Sequence, residues 1–434
     1  MAKKKSTTSL KVLLNNLYLG NLGYKSRKLL TFQYSPEWLQ RELPFPISRT
    51  LPLREDPFDG DEVYSYFDNL LPDGDPIRQR IAARMNAPSE QVYDLLSVLG
   101  RDCVGALQFV RADEDETASS TEPSGTPISE DQIAEKLKNL NTIPLGASEE
   151  EDFRISIAGA QEKTAFLKLK GKWYLPKGAT PTTHIFKPQV GNITPRLNFS
   201  DSVENEWLCA QIAKEFGLPV TNCEIGEFDK TKVLIVERFD RTWVKDRLIR
   251  IPQEDMCQAL GVPSFEKYQS DGGPGVNQIM DLLNESQKRE TDRALFMKAQ
   301  VVFLLLAAID GHAKNFSIRW GPRGFWMTPL YDILSAHPLV QRGNLPKEKI
   351  KMAMAIGNKP HWKLREIAHR HFIQQAKISR FDGAEMDAII EETVAQMPTV
   401  IARISSKLPK TFPNEVSEAI FKGMREQVGL LENS

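Results

Sequence analysis

The chain has 434 residues, 41% hydrophobic and 26% charged, with 56 Lys and Arg against 57 Asp and Glu. This near-average globular composition allows two to four cored units at roughly 100–200 residues each, and it excludes wholesale disorder and fibrous repeats. A formal charge of −1 gives no overall attraction to nucleic acid or anionic membrane, so DNA contact is expected only through a local patch or a partner.

In chain order, Val12–Leu14 and Leu17–Leu19 flank Asn15-Asn16 as a short hairpin. Pro44, Pro46, Pro52 and Pro57 then forbid a long regular element. Helices are expected around Asp61–Leu71 and Asp75–Met85. Residues 112–130, acidic and rich in Ser, Thr and Pro, read as a surface linker, and a helix follows around Ser129–Leu140. Thr164–Lys168 and Lys172–Leu175 form a hairpin about Gly171, and His184–Lys187 is a further strand. Asp201-x-x-Glu204 has capping-box spacing and opens a helix that ends near Gly217. Lys232–Glu237 and Leu248–Ile251 are strands. Beyond Pro252 the chain is mostly helical, with Asp292–Ile309 the strongest helix, then Gly383–Met397, Thr399–Ser406 and Asn414–Gln427. The apolar run Val301–Ile309 is far short of the ~20 residues of a membrane span. The charged start Met1–Lys5 leads into no long apolar stretch, so export is not expected. Cys103, Cys209, Cys223 and Cys257 lie far apart and read as core thiols of a reducing cytoplasm.

The chemistry concentrates after the strongest helix. Asp310-Gly-His-Ala-Lys-Asn315, followed by Asp332, is a plausible phosphoryl-transfer set. One Asp orients or deprotonates the acceptor hydroxyl, while Asn315 and Asp332 hold Mg²⁺ on nucleotide phosphates. Alone, the motif reads equally as an Asp-Gly turn. Upstream, Lys187 ends an apolar strand where a cation needs an anionic partner. It suits phosphates together with a carboxylate from the next helix, either Glu204 or Glu206. The small-residue stretch Ser156–Lys163 could bring backbone amides to phosphate oxygens. The order of these parts (loop, strand Lys, helix Glu, strand to Glu237, then Asp310, Asn315 and Asp332) is that of a two-lobed kinase joined near Glu237–Asp240. Asp271-Gly-Gly-Pro-Gly275 stays open between a ligand loop and a connector. Lys347–Lys351 likewise suits either holding substrate or a solvated charged turn.

Several longer runs closely resemble the HipA toxin kinases. They are Asp152–Thr164 (DFRISIAGAQEKT), Pro176–Gly178, Thr182–His184, Val236–Arg241 (VERFDR), Pro252–Gln258 (PQEDMCQ), Asp271–Gly275 (DGGPG) and Asp310–Ser317 (DGHAKNFS). Phe67–Asp73 and Leu99–Ala106 extend the likeness over nearly the whole chain. It implies an α+β, bilobed protein-kinase-like fold, with a β-rich N-lobe, a mostly helical C-lobe and an extra N-terminal α/β subdomain. The expected divisions are an N-terminal subdomain at 1–110, the linker and connecting helix at 111–150, the N-lobe at 151–252 and the C-lobe at 253–434. The resemblance further implies a cytoplasmic serine/threonine protein kinase toxin that uses ATP and Mg²⁺. Its expected partners are a HipB-like helix-turn-helix antitoxin, operator DNA mainly through that antitoxin, and glutamyl-tRNA synthetase as target; no membrane is involved.

Carried over by residue, the resemblance makes Asp310 the catalytic Asp, Asn315 and Asp332 the metal ligands, and Lys187 the phosphate-binding Lys. Ala158, Gly159, Ala160 and Gln161 form the phosphate loop, with His312 and Lys314 also in the nucleotide site. Glu237 and Phe239 offer hinge backbone to adenine, with Gln253 nearby. Ser156 is the autophosphorylated serine. The departures from ordinary protein kinases match the HipA pattern: no His-Arg-Asp precedes the catalytic Asp, and Asp332 is followed by Ile333-Leu334. His312 is read as a structural hydrogen-bonder, since Asp310 already fills the proton-accepting role. Two other readings stand beside this one, a metabolite or lipid kinase and a catalytically idle co-repressor subunit.

Overall fold

The computed structural model describes residues 9–26, 29–111, 123–140, 161–194 and 197–432. Two compact units emerge, each assembled from separated stretches of chain. The first comprises Met1–Phe186, Arg238–Phe265 and Arg319–Arg323; the second comprises Lys187–Glu237, Glu266–Ile318 and Gly324–Ser434.

In the first unit, Leu10–Leu14 and Leu17–Ser26 pair antiparallel across Asn15 (φ 49°) and Asn16 (φ 67°). Both turn residues are left-handed, as a tight two-residue hairpin requires and as Asn tolerates. The Asn15 amide then clasps the backbone of Arg250, donating to its carbonyl and accepting from its N–H, each at 2.8 Å. Leu29–Tyr34, Phe58–Asp59 and Leu107–Arg111 complete a five-stranded sheet. Helices Asp61–Asp68 and Val92–Leu99 bury Val63, Phe67, Leu95 and Leu96 in one core with Val12, Leu19, Phe32 and Phe109. Gln132 completes a capping box with Ser129, opening the helix Glu130–Lys138. The second expected hairpin, Thr164–Leu169 with Lys172–Pro176, turns on Lys170 (φ 47°) and Gly171 (φ 79°).

One part of the linker reading is corrected. Gly125–Pro127 is a strand paired with Tyr174–Pro176. Main-chain hydrogen bonds hold this short edge, so its polar composition gave no sign of it. The rest of the stretch, 112–122, lies outside the described residues.

A charged cluster is buried in the same unit. Asp102 accepts from Arg241 at 2.8 Å, Arg238 at 3.2 Å, Arg250 at 3.4 Å and the Thr182 hydroxyl at 2.6 Å. Arg238 also donates to both oxygens of Asp240, at 3.0 and 2.8 Å. Burial works against the Asp102 carboxylate, but the three guanidiniums outweigh it and hold its pKa well below the usual range. Among the described residues no cation pairs with Glu254. Its Oε1 accepts from the Trp320 indole at 2.9 Å and the Arg49 amide at 3.2 Å, and burial pushes its pKa up to about 7. A raised folded pKa means that the contribution is present below the unfolded value, near 4.5, and is lost as pH climbs through about 7. Glu254→Gln is therefore expected to exceed wild type in stability by up to roughly 3 kcal/mol at pH 8, with the difference vanishing near pH 4–5. Thermal midpoints of both proteins across that range measure it. Parallel curves at all pH would show that Glu254 does not titrate there.

In the second unit, helix Ser202–Glu215 packs on the hairpin Cys223–Phe228/Thr231–Glu237. Asp201 does stand at its N-cap, but not as a capping residue: its carboxylate pairs with Arg342 (2.5 and 3.1 Å) and makes no cap hydrogen bond. A charge-assisted bidentate pair outcompetes a backbone amide. The strongest helix spans Arg289–Leu306, ending earlier than expected because Ala307 turns left-handed (φ 48°). The two helices expected around Pro398 are a single helix, Gly383–Lys407. The lost hydrogen bond at Pro398 is offset by the burial of Met397, Val400, Ile401 and Ile404. Cys103, Cys209 and Cys257 are buried and Cys223 is half-buried, all as thiols. Among the described residues no helix is long and apolar enough to cross a membrane.

Candidate active site

Lys187 is the penultimate residue of the strand His184–Pro188 and is only 7% exposed. Its Nζ donates to Glu206 Oε1 at 2.7 Å and to Asp332 Oδ1 at 2.9 Å. Residues two apart on a helix project about 200° apart, so only one of Glu204 and Glu206 can face the strand lysine. Glu206 does; Glu204 pairs with Lys232 instead. Burial alone would lower the Lys187 pKa, but Asp332 and Glu206 reverse this and hold it above the ordinary lysine range. One ammonium against two carboxylates leaves the triad one negative charge in excess, which favours a cation beside it.

The second group grows from the end of the long helix. A Cβ on Gly311 would lie 2.6 Å from the Phe303 ring, so the chain passes there only as glycine. The Asp310 carbonyl accepts from the His312 N–H at 2.8 Å and from Asn315 Nδ2 at 2.6 Å. The Asn315 side chain thus spends its amide nitrogen on the backbone, so its oxygen is the atom that could serve a ligand. Tyr331 donates to the Lys314 carbonyl at 2.8 Å, tying the turn before Asp332 to this segment. Asp332 itself is left-handed (φ 59°), a conformation Asp accepts better than most side chains. His312, Lys314 and Asn315 are buried, whereas the Asp310 side chain is 53% exposed. A plain Asp-Gly turn would solvate all four residues. Here the polar segment is built into the unit and presents one carboxylate.

These residues fit a magnesium ion by their chemistry. Asn315 and Asp332 supply hard oxygens, and Mg²⁺ needs few protein ligands because it keeps waters and phosphate oxygens. Among the described residues, no group of three or more His, Cys, Asp and Glu side chains converges as a metal site.

The remaining residues singled out in the sequence are placed as follows. Glu237 ends its strand with its N–H donating to the Asn222 carbonyl at 2.9 Å and its own carbonyl accepting from the Thr221 hydroxyl at 2.8 Å. One carbonyl lone pair is left for any ligand. Phe239, Gln253 and Gln161 belong to the first unit. Gln253 is buried, and its Oε1 has no hydrogen-bond partner, an orphan that costs about 1–3 kcal/mol unless a donor meets it. Ser156, Ala158, Gly159 and Ala160 lie outside the described residues. In the charged turn, Lys347–Lys349 is a short 3₁₀ helix with Lys347 paired to Glu426.

Two site residues went unread. Asn205 anchors the helix that carries Glu206 to the backbone of Ser335, donating at 2.8 Å and accepting at 2.9 Å. Tyr268 donates its hydroxyl to Asp310 Oδ1. Its only sequence signal is its position just ahead of the glycine-rich Asp271–Gly275.

Comparison with known proteins accounts for nearly the whole chain. Residues 10–110 match the HipA N-terminal domain model, and residues 155–401 match the HipA-like C-terminal domain model. The putative kinase Y4mE of Sinorhizobium fredii is 37% identical over 332 residues, 76% of each chain. The serine/threonine-protein kinase toxin HipA of Shewanella oneidensis is 26% identical over 343 residues, 76% of this chain and 75% of its own. Among solved structures, HipA in the Shewanella oneidensis MR-1 complex of HipA, HipB and operator DNA superposes with a TM-score of 0.81 at 22% identity. That match covers 98% of this chain and 97% of the other, and it shows a shared α+β, kinase-like fold.

Proposed function

The chain belongs to the HipA family of serine/threonine kinases, and from that premise we propose that it is a toxin kinase that transfers the γ-phosphoryl group of Mg-ATP to a protein hydroxyl. The observation that carries this reading is the buried Lys187–Glu206 pair with Asp332 on the same ammonium, in one compact unit with the turn that presents Asp310 and Asn315.

In this reading Lys187, held charged by its two carboxylates, meets the nucleotide phosphates. Asn315 and Asp332 would hold the magnesium ion, which when bound would neutralise phosphate charge. Asp310 orients the acceptor hydroxyl and takes its proton as the oxygen–phosphorus bond forms and the bond to the leaving diphosphate breaks. The buried Gln253 oxygen, which has no hydrogen-bond partner, suits a donor such as the amino group of adenine.

The finer features follow the same reading. Glutamyl-tRNA synthetase is the proposed target, so that translation is inhibited and dormancy promoted. A helix-turn-helix antitoxin resembling HipB neutralises the chain and carries it to operator DNA; the net charge of −1 is in keeping with DNA contact through a partner. Phosphorylation of Ser156 would add about −1.5 to −2 charge beside the ATP phosphates and switch the kinase off. Incubation with Mg-ATP followed by intact mass spectrometry is expected to show one phosphoryl adduct in wild type, absent from Ser156→Ala. An adduct that persists in the variant would refute the serine assignment. No adduct at all, in unphosphorylated protein that binds ATP, would favour an idle co-repressor or a metabolite kinase.

A further inference from the structure

We propose that Asn205 is a positioning residue for the magnesium-binding side of the site: by clasping the backbone of Ser335 it holds Glu206 and Asp332 at one spacing, which Lys187 then bridges. The proposal rests on the reading of Lys187, Asn315 and Asp332 as the Mg-ATP site. Two carboxylates from distant stretches of chain meet one ammonium there, Glu206 from the helix Ser202–Glu215 and Asp332 from the turn after Tyr331. Like charges repel, so the two carriers need a tie of their own. Asn205 directly precedes Glu206, and Ser335 follows Asp332 by three positions. Neighbours on a helix project about 100° apart, so Glu206 can face the lysine while Asn205 faces the Asp332 segment. The Asn205 amide donates to the Ser335 carbonyl at 2.8 Å and accepts its N–H at 2.9 Å, and both residues are buried. Two opposed bonds to one residue fix distance and orientation together, as a hydrogen-bonded pair in an antiparallel ladder does.

Other ties on the same elements work with this clasp. Asp201, whose carbonyl accepts the Asn205 N–H at 2.9 Å, pairs with Arg342 in the stretch that follows Ser335. The Ala336 N–H donates to the Ala307 carbonyl at 3.0 Å, and His337 Nε2 donates to the Leu305 carbonyl at 2.9 Å. Both acceptors lie at the end of the helix that leads to Asp310. Upstream, the Tyr331 hydroxyl holds the Lys314 carbonyl. Asp332 is thus tied on each side in sequence. Its left-handed backbone (φ 59°) is a conformation that a side-chain-bearing residue keeps only where its surroundings hold it. In kinases that switch by moving this helix, the lysine–glutamate pair breaks and re-forms. A buried two-way bond to the segment that carries the metal carboxylate opposes that motion and makes the pair a fixed part of the site.

Asn205→Ala removes both bonds and leaves Lys187, Glu206 and Asp332 untouched. Calorimetric binding of ATP to the full chain, with Mg²⁺ and with EDTA, measures the gain in affinity that the metal brings. That gain is expected to shrink by about tenfold in the variant, with affinity in EDTA little changed and turnover down by about tenfold. Ile212→Ala, buried two turns along the same helix, is the control for lost stability alone. It should lower the thermal midpoint yet keep the metal-dependent gain of wild type. In nucleotide-free protein, amide hydrogen exchange over Asp332–His337 is expected to quicken in Asn205→Ala by about tenfold beyond any change in the control. Should the Ala variant not fold, Asn205→Ser, which keeps one polar atom against that backbone, takes its place with the same expectations. A full metal-dependent gain in the Asn205 variant, an equal loss of it in Ile212→Ala, or no excess exchange over the control would each overturn the proposal alone. A wild type whose ATP affinity is indifferent to Mg²⁺ would overturn the kinase site and the proposal with it.

Discussion

Asp310→Asn is expected to lose between about 10²- and 10⁴-fold in phosphoryl transfer, the range a positioned general base supplies. The fold should be untouched. Asp310 is half-exposed and forms no part of the core, and an asparagine oxygen can still accept from Tyr268. The backbone that carries it is pinned separately by Asn315 and His312 at the Asp310 carbonyl. ATP should still bind, since Lys187, Asn315 and Asp332 keep their places. The loss therefore belongs in turnover and not in nucleotide affinity. Labelled-phosphate transfer with calorimetric ATP binding separates the two. A variant within threefold of wild type would remove Asp310 from the mechanism.

Asp102→Asn is expected to give the largest loss of stability, about 3–5 kcal/mol. Asp102 is 3% exposed and is shared by Arg238, Arg241 and Arg250, and among the described residues Asp240 is the other carboxylate hydrogen-bonded in the cluster. Three guanidiniums against two carboxylates already leave one positive charge in excess. Burial with too little compensation pulls the Arg250 pKa down to about 10. Removing Asp102 doubles that excess inside the unit. The arginines also bind the carbonyls of Cys103 and Gly105, so the segment around Phe239 should loosen with the cluster. A fall of roughly 10 °C in thermal midpoint is expected at pH 7. Because the folded carboxylate pKa is depressed, this contribution is present above the ordinary value near 3.8 and fades as pH falls below it. An unchanged midpoint at pH 7 would mean that water or rearranged arginines replace the carboxylate.

Features set by neighbours in the chain were legible. Asn15-Asn16 and Lys170-Gly171 mark their hairpins because a two-residue turn demands left-handed backbone, a requirement met within the turn itself. The helix expected around Ser129–Leu140 is also local in origin, for Glu130–Lys138 opens on a capping box made by Ser129 and Gln132. The candidate site was legible where its residue types are chemically constrained: a lysine closing an apolar strand, and Asp310, Asn315 and Asp332 after a long apolar helix.

Features that depend on which distant group wins a charge or a hydrogen bond were not. Asp201 has capping spacing yet goes to Arg342, because a guanidinium offers more than an amide does. Pro398 should break a helix, but apolar burial on both sides of it outweighs the missing bond. The choice of Glu206 over Glu204 followed from the phase at which one helix meets one strand. Sequence by itself determined the family, through long runs that resemble the HipA kinases, and the local turns, which rest on conformational preferences within a few residues. Only the tertiary structure decided the partner of Lys187, the Tyr268 donor on Asp310 and the arginine cluster on Asp102. Each of these joins groups far apart in the chain, and only packing brings them within hydrogen-bond reach.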